Sequence, residues 1–167
     1  VAAAAPADAC ITPASEAALA AFKTRVDDLI GSHPIVNSNQ FTSWFSQGDA
    51  SPEQLRQFTV QFSVFSHLFI EAQLRKCINA VDLASYRASK EILMSGLGVM
   101  FTADGSIENG RFRFTAAHFE WLAEFASHLG LEFNQIGKRK HGIASTLEFC
   151  DALMTWYSSD DESPAAG

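Results

Sequence analysis

SPEQLRQFTVQFSVFSHLFIEAQLRKCI, residues 51–78, is the stretch that decides the fold. It opens with Ser51-Pro52-Glu53-Gln54, a capping box with proline at the first helical position. Leu55, Phe58, Phe62, Phe65, Phe69 and Ala72 then recur at steps of three and four. A second stripe of Val60, Val64, His67, Glu71, Leu74 and Ile78 runs along another side. A helix that is apolar on two sides packs against several neighbours, so this one is expected at the centre of the molecule.

The flanking segments carry the same period, and none shows the alternation of a strand. Leu19, Phe22, Val26, Leu29 and Ile30 form a stripe with Ser15 as its cap, and Gly31-Ser32-His33-Pro34 ends it. A short aromatic helix over residues 39–45 ends near Gly48. Residues 84–101 read as a helix weakened at Gly96 and Gly98, followed by a polar loop with Asp104-Gly105 and Asn109-Gly110 turn signals. Residues 111–131, RFRFTAAHFEWLAEFASHLGL, read as one apolar helix closed by Gly130, with His118 set among aromatic rings. A basic loop, Gly137-Lys138-Arg139-Lys140-His141-Gly142, leads to a last helix that starts on a capping box from Ser145 to Glu148. The expected fold class is all-α, a bundle of about six helices.

Composition bounds what such a chain does. At 167 residues with 47% hydrophobic and 19% charged residues, one domain with a sizeable core is expected. Residues 1–14 read as a flexible leader, 15–158 as a single helical domain and 159–167 as a disordered acidic tail. A net charge of -7 argues against a nucleic-acid surface, and no apolar run approaches the roughly 20 residues that span a bilayer. Fourteen phenylalanines against two tyrosines fill an interior without needing hydrogen-bond partners. The three cysteines, Cys10, Cys77 and Cys150, form no CxxC and read as reduced thiols of a cytoplasmic protein.

Three groups of polar residues are candidates for chemistry. His67 and Glu71 lie four apart and share a helix face, either as a hydrogen-bonded pair or as ligands in the bundle core. His118, between Phe114 and Trp121, is either a half-buried histidine or a ligand, and with Phe65 these two rings make the expected pocket. Lys138, Arg139, Lys140 and His141 precede a helix N-terminus, where an anion can dock, or form a solvated basic loop. Cys150 falls on an apolar stripe and reads as a buried, inert thiol.

The ordered segments HPIVNSNQFTSWF, SPEQLRQFTVQFSVFSHLF, the SGLG helix and HFEWLAEFASHLGL resemble the heme-oxygenase-like superfamily, over about residues 30–131. The nearer likeness is to its TenA/PqqC-like branch and to the non-heme iron oxidases of that fold. In the iron-binding members, a glutamate in an EE-x-G-like motif and a histidine opening an H-x-x-L-like helix bind the metal. The histidine carries over to His118, whereas the glutamate position falls on Ser95-Gly96-Leu97-Gly98. Glu91, a turn earlier, and Glu108, in the loop, are the nearest substitutes. No segment matches the later H-x-x-x-D-x-x-H-like ligand helix, so the resemblance implies a bundle truncated at its C-terminal end, a fragment, or a domain completed by another chain.

What the resemblance implies is an iron-dependent oxidase or oxygenase acting on a small organic molecule. His118, Glu71, His67, Glu91 and Glu108 are its candidate metal ligands, an incomplete set. The alternative is a non-catalytic TenA-like protein that keeps the frame and binds a small hydrophobic or aromatic ligand or a protein partner. TenA-like thiaminase chemistry needs a nucleophilic cysteine that neither Cys77 nor Cys150 matches, and heme binding has no proximal-histidine motif here. The expected partners are a small molecule and no nucleic acid or membrane, with a homodimer left open.

Overall fold

The computed structural model describes residues 13–99 and 117–159. Every regular element in them is helical, so the all-α class holds. The elements are α1 (Pro13–Ser32), α2 (Pro34–Asn37), α3 (Gln40–Ser46), α4 (Pro52–Ile78), α5 (Leu83–Gly96), α6 (His118–His128) and α7 (Ala144–Tyr157). Two 3-10 turns, Phe133–Gln135 and Arg139–His141, lie between α6 and α7. The contacts divide the chain into two compact units, Val1–Ala50 and Ser51–Gly167.

In the first unit α1 packs on α2. The break between them is where proline demands it: α1 stops at Ser32, and His33 caps α2 by accepting from the Ile35 N–H at 3.2 Å. Asn39 caps α3, whose Phe41 ring lies 5.7 Å from both Trp44 and Phe45. Among the described residues of this unit none is buried, and the α1 stripe of Leu19, Phe22, Leu29 and Ile30 is exposed.

The second unit is organised by α4. Its capping box is complete, with Ser51 Oγ accepting from the Gln54 N–H at 3.3 Å and Gln54 Oε1 accepting from the Ser51 N–H at 2.8 Å. α5, α6, α7 and the second 3-10 turn all pack against it, as a helix apolar on two sides requires. Phe58, Phe62, Phe65 and Phe69 form a continuous ring ladder at 5.5–5.8 Å spacings, and Phe149 of α7 joins it at Phe65. The buried residues of α4 include the polar Thr59, Ser63 and Gln73 as well as Val64, Ala72 and Cys77. The small side chain of Ser63 lets the backbone of Gly137 come close, which a large apolar one would prevent.

α4 also supplies polar groups to the irregular backbone between α6 and α7. Arg56 Nε donates to the Leu129 carbonyl at 2.7 Å, at the end of α6. Ser63 Oγ accepts from the Gly137 N–H at 2.8 Å, and His67 Nδ1 donates to the Gly137 carbonyl at 3.0 Å. Gln61 accepts from the Ile143 N–H and donates to the His141 carbonyl, both at 2.9 Å. Asn79 Nδ2 donates to the Tyr157 carbonyl at 3.1 Å, closing α7. Buried backbone must be paired, and here side chains of one helix do it for a segment with no ladder of its own.

Three helix ends are instructive. Gly130 stops α6 as expected: its φ is +73°, its N–H donates to Ser127, and the Leu131 N–H donates to Ala126, which together form a Schellman motif. α5 ends at Gly96, short of the expected 101. α7 begins at Ala144 with Ile143 as its N-cap, so the expected capping box at Ser145 and Glu148 does not form. Gln61 holds the Ile143 N–H and fixes the start of the helix two residues too early for Ser145 to cap it. Of the helix expected over residues 111–131, residues 111–116 lie outside the described set, and the helical part of the rest is α6, His118–His128, with Ala117 as an extended N-cap and Leu129 as the C-cap.

Candidate functional site

The chemistry-bearing feature is a cleft of about 200 Å³ in the second unit. α4 contributes Ser66, Phe69 and Ile70, α5 contributes Ile92, Ser95 and Gly96, and His118 at the start of α6 completes the lining. The cleft exists because three of these positions are serine or glycine. α4 and α5 pack side by side, and where Ser66 meets the Ser95-Gly96 turn there is too little side chain to fill the gap. The walls are mainly hydrocarbon and aromatic, with hydroxyls and one imidazole as the polar groups. His118 is exposed and its ring lies 5.8 Å from that of Trp121, at 29°.

The other candidate residues are placed elsewhere. His67 and Glu71 find separate partners: His67 donates to Gly137, and Glu71 pairs with Arg75 at 3.0 Å. The His67 ring also lies 3.5 Å from that of Phe119, nearly parallel at 14°. Glu91 sits half-buried on α5, and Glu108 and Phe114 lie outside the described residues. Phe65 packs on Phe149 of α7 and Trp121 on His118, and neither is among the residues lining the cleft. The residues missed from sequence are Ser66, Phe69, Ile70 and Ile92; the SGLG quartet was the one signal of open space.

Iron asks for several His or carboxylate ligands around one point. Among the described residues no three His, Cys, Asp or Glu side chains gather where they could hold an ion. His67 has one ring nitrogen bonded to Gly137 and one ring face covered by Phe119, and Glu71 is tied to Arg75. The described residues therefore do not fit the metal that the resemblance implies.

The basic segment is largely engaged by the chain itself. Arg139 binds Asp151 through two hydrogen bonds of 2.7 Å. Lys138 Nζ sits 5.5 Å from the centre of the Phe133 ring, and His141 Nε2 donates to the Asn134 carbonyl at 3.1 Å. The α7 N-terminus that an anion would use has its N-cap N–H on Gln61. The guanidinium of Arg139, hydrogen-bonded to Asp151, holds that carboxyl below its usual range, and the Ser85 N–H does the same for Asp82 at the N-cap of α5. Burial pushes the thiols of Cys77 and Cys150 up, away from the reactive thiolate.

A pH dependence follows. A carboxylate whose folded pKa is depressed stabilises the fold above its unfolded pKa, and the effect is lost as pH falls through the folded value. The denaturation midpoint is expected to drop on acidification below about pH 4. Asp151→Asn and Asp82→Asn should each flatten that drop in urea titrations run from pH 7 to pH 2. An unchanged acid limb in both variants would refute these roles. The Arg139–Asp151 contribution should also shrink with added salt, since both side chains are about half exposed.

No family model, curated protein or solved structure matches this chain. Among the described residues no helix is long and apolar enough to cross a membrane.

Proposed function

We propose that this protein is a non-catalytic helical binding protein that holds a small hydrophobic or aromatic molecule in the cleft beside His118. The observation that carries this reading is the cleft itself. About 200 Å³ of space is lined by Phe69, Ile70 and Ile92. An apolar cavity of about 150 Å³ is enough to take up benzene, so a single substituted ring is the size to expect. Convergent apolar walls with few polar groups are what small-molecule sites present. The resemblance to the heme-oxygenase-like superfamily belongs to the same proposal, supported by an all-α frame around one long central helix.

Gly96 gives the direct test. A Cβ at this position meets nothing within 4 Å, so a larger side chain can grow into the cleft without moving backbone. Gly96→Leu is expected to abolish binding of toluene, read from amide shifts of Ser66, Ile70 and Ile92 in NMR titrations. The fold should persist, because a Cβ at this last position of α5 meets no neighbouring atom within 4 Å. Retained toluene shifts at those amides in a folded Gly96→Leu protein would sink the reading. His118→Ala should leave the fold intact, since His118 is exposed.

A further inference from the structure

Among the described residues, backbone groups hold four of the five histidines and leave His118 without a hydrogen bond. His33 Nδ1 accepts from the Ile35 N–H, and His67 Nδ1 donates to the Gly137 carbonyl. His128 Nδ1 donates to the Glu124 carbonyl at 2.9 Å, and His141 Nε2 to the Asn134 carbonyl. His118 has only its ring contact with Trp121. The hydroxyls of Ser66 and Ser95 make no hydrogen bond among the described residues either. Those of Thr59 and Ser63, on α4, bond back to the Leu55 and Val60 carbonyls at 2.7 and 2.6 Å. His118, Ser66 and Ser95 are the polar side chains of the cleft lining.

The three groups share one chemistry. An imidazole donates from one ring nitrogen when neutral and from both when protonated, and a serine hydroxyl donates as readily as it accepts. The lining carries no carboxylate, lysine or arginine, so His118 is the one side chain there that takes a positive charge. Carboxylates close in sequence lie outside the lining. Glu120 is two residues past His118, a step that turns it to another side of α6, and Glu91 is one turn before Ser95 on α5. A ligand that meets these groups therefore offers acceptors. A carboxylate offers most, with two oxygens and charge-assisted hydrogen bonds. The other walls, Phe69, Ile70 and Ile92, suit the hydrocarbon part of such a molecule.

We propose that the ligand of the cleft is a small aromatic carboxylic acid, bound as its carboxylate, with the ring against Phe69, Ile70 and Ile92 and the carboxylate on His118. The proposal rests on the ligand-binding reading above and narrows its ligand class to benzoate-like and phenylacetate-like acids. His118 is exposed, so the carboxylate keeps part of its hydration while it gains the imidazole N–H. The desolvation that makes a buried charge costly is thereby largely avoided. The hydroxyls of Ser66 and Ser95 are further donors on the same lining. The chain carries a net charge of -7 and does not collect anions generally, so an acid found at these residues is there because of them.

Benzoate, toluene and benzylamine are similar in size and carry negative, no and positive charge, so they are the probes. Each is titrated into the full chain and into His118→Ala and His118→Gln. The amides of Ser66, Ile70 and Ile92 and the ring nitrogens of His118 are followed by NMR. The expected result is a benzoate affinity that falls at least about 10-fold in His118→Ala, with toluene affinity unchanged; a factor of ten corresponds to about 1.4 kcal/mol, near the lower end of what a hydrogen bond to a charged group contributes. His118→Gln, which keeps a neutral N–H donor, should bind benzoate with an affinity between those of wild type and His118→Ala. In the wild-type protein benzoate should bind more tightly than benzylamine, and it should shift the His118 ring nitrogens far more than toluene does. If toluene moves the cleft amides and benzoate does not, or if the ratio of their affinities is the same in wild type and His118→Ala, the acid is overturned and the binding reading stands. A benzylamine affinity above that of benzoate would also overturn the acid and direct attention to Glu91. If neither benzoate nor toluene moves a cleft amide of the wild-type protein, the binding reading falls and takes this inference with it.

Discussion

Gly137→Ala is expected to destabilise the second unit by about 2–5 kcal/mol, as the sum of two separable effects. The first is conformational. Gly137 has φ +66°, in the left-handed region where a Cβ costs about 1–2 kcal/mol. The second is steric. A Cβ here would stand 2.5 Å from Nδ1 of His67 and 2.6 Å from Cζ of Phe119. Neither ring can readily yield, because the two already stack at 3.5 Å and His67 is bonded to the Gly137 carbonyl. Moving the backbone instead would break the Gly137–Ser63 bond, which is buried. Overpacking of this kind typically costs about 1–3 kcal/mol. Gly130→Ala is the internal control. Its φ is +73°, but its Cβ would meet only the flexible Arg56 guanidinium at 3.6 Å, so only the conformational effect applies. Urea denaturation of both variants, followed by circular dichroism, separates the two contributions. A Gly137→Ala loss no larger than that of Gly130→Ala would show that the His67–Phe119 stack gives way freely.

The same region shows what the sequence could and could not reveal. α4 was legible because a capping box, an N1 proline and two apolar stripes all agree on it, and Gly130 was legible because a left-handed stop needs glycine. The path of residues 129–143 was not. It is held by Arg56, Gln61, Ser63 and His67, which bind backbone groups, and every residue offers a backbone group, so no periodic pattern records which one is chosen. The local Ser145–Glu148 signal was outcompeted for the same reason, by Gln61 from more than eighty positions away. At the candidate site His118 stood out because a histidine among rings is conspicuous. The space beside it is made by the small residues Ser66, Ser95 and Gly96, and in a sequence such residues look like interruptions in an apolar pattern.

These bonds make α4 a template onto which the segment after α6 is laid, and Ile136 is where that segment contributes most apolar burial. Ile136→Ala is expected to cost about 3–4 kcal/mol, in the upper part of the range for truncating a buried isoleucine. Ile136 is 1% exposed and packs with Phe119 and Ala126, with Val60, Ala123 and Leu131 around them. The cost of such a change depends on how far the surroundings can collapse into the vacated space. Here they are held. Phe119 is stacked on His67, α6 is tied to Arg56 through Leu129, and the residue after Ile136 is pinned at both its N–H and its carbonyl. Most of the volume removed should therefore persist as a cavity. Ile78→Ala, at a position 72% exposed on the same unit, should change stability by no more than about 0.5 kcal/mol. Equal, small losses at both positions in urea denaturation would mean that the segment is not anchored as described. In a double-mutant cycle with Ser63→Ala the two losses should be non-additive, because releasing Gly137 lets the chain around Ile136 relax and part of the cavity close.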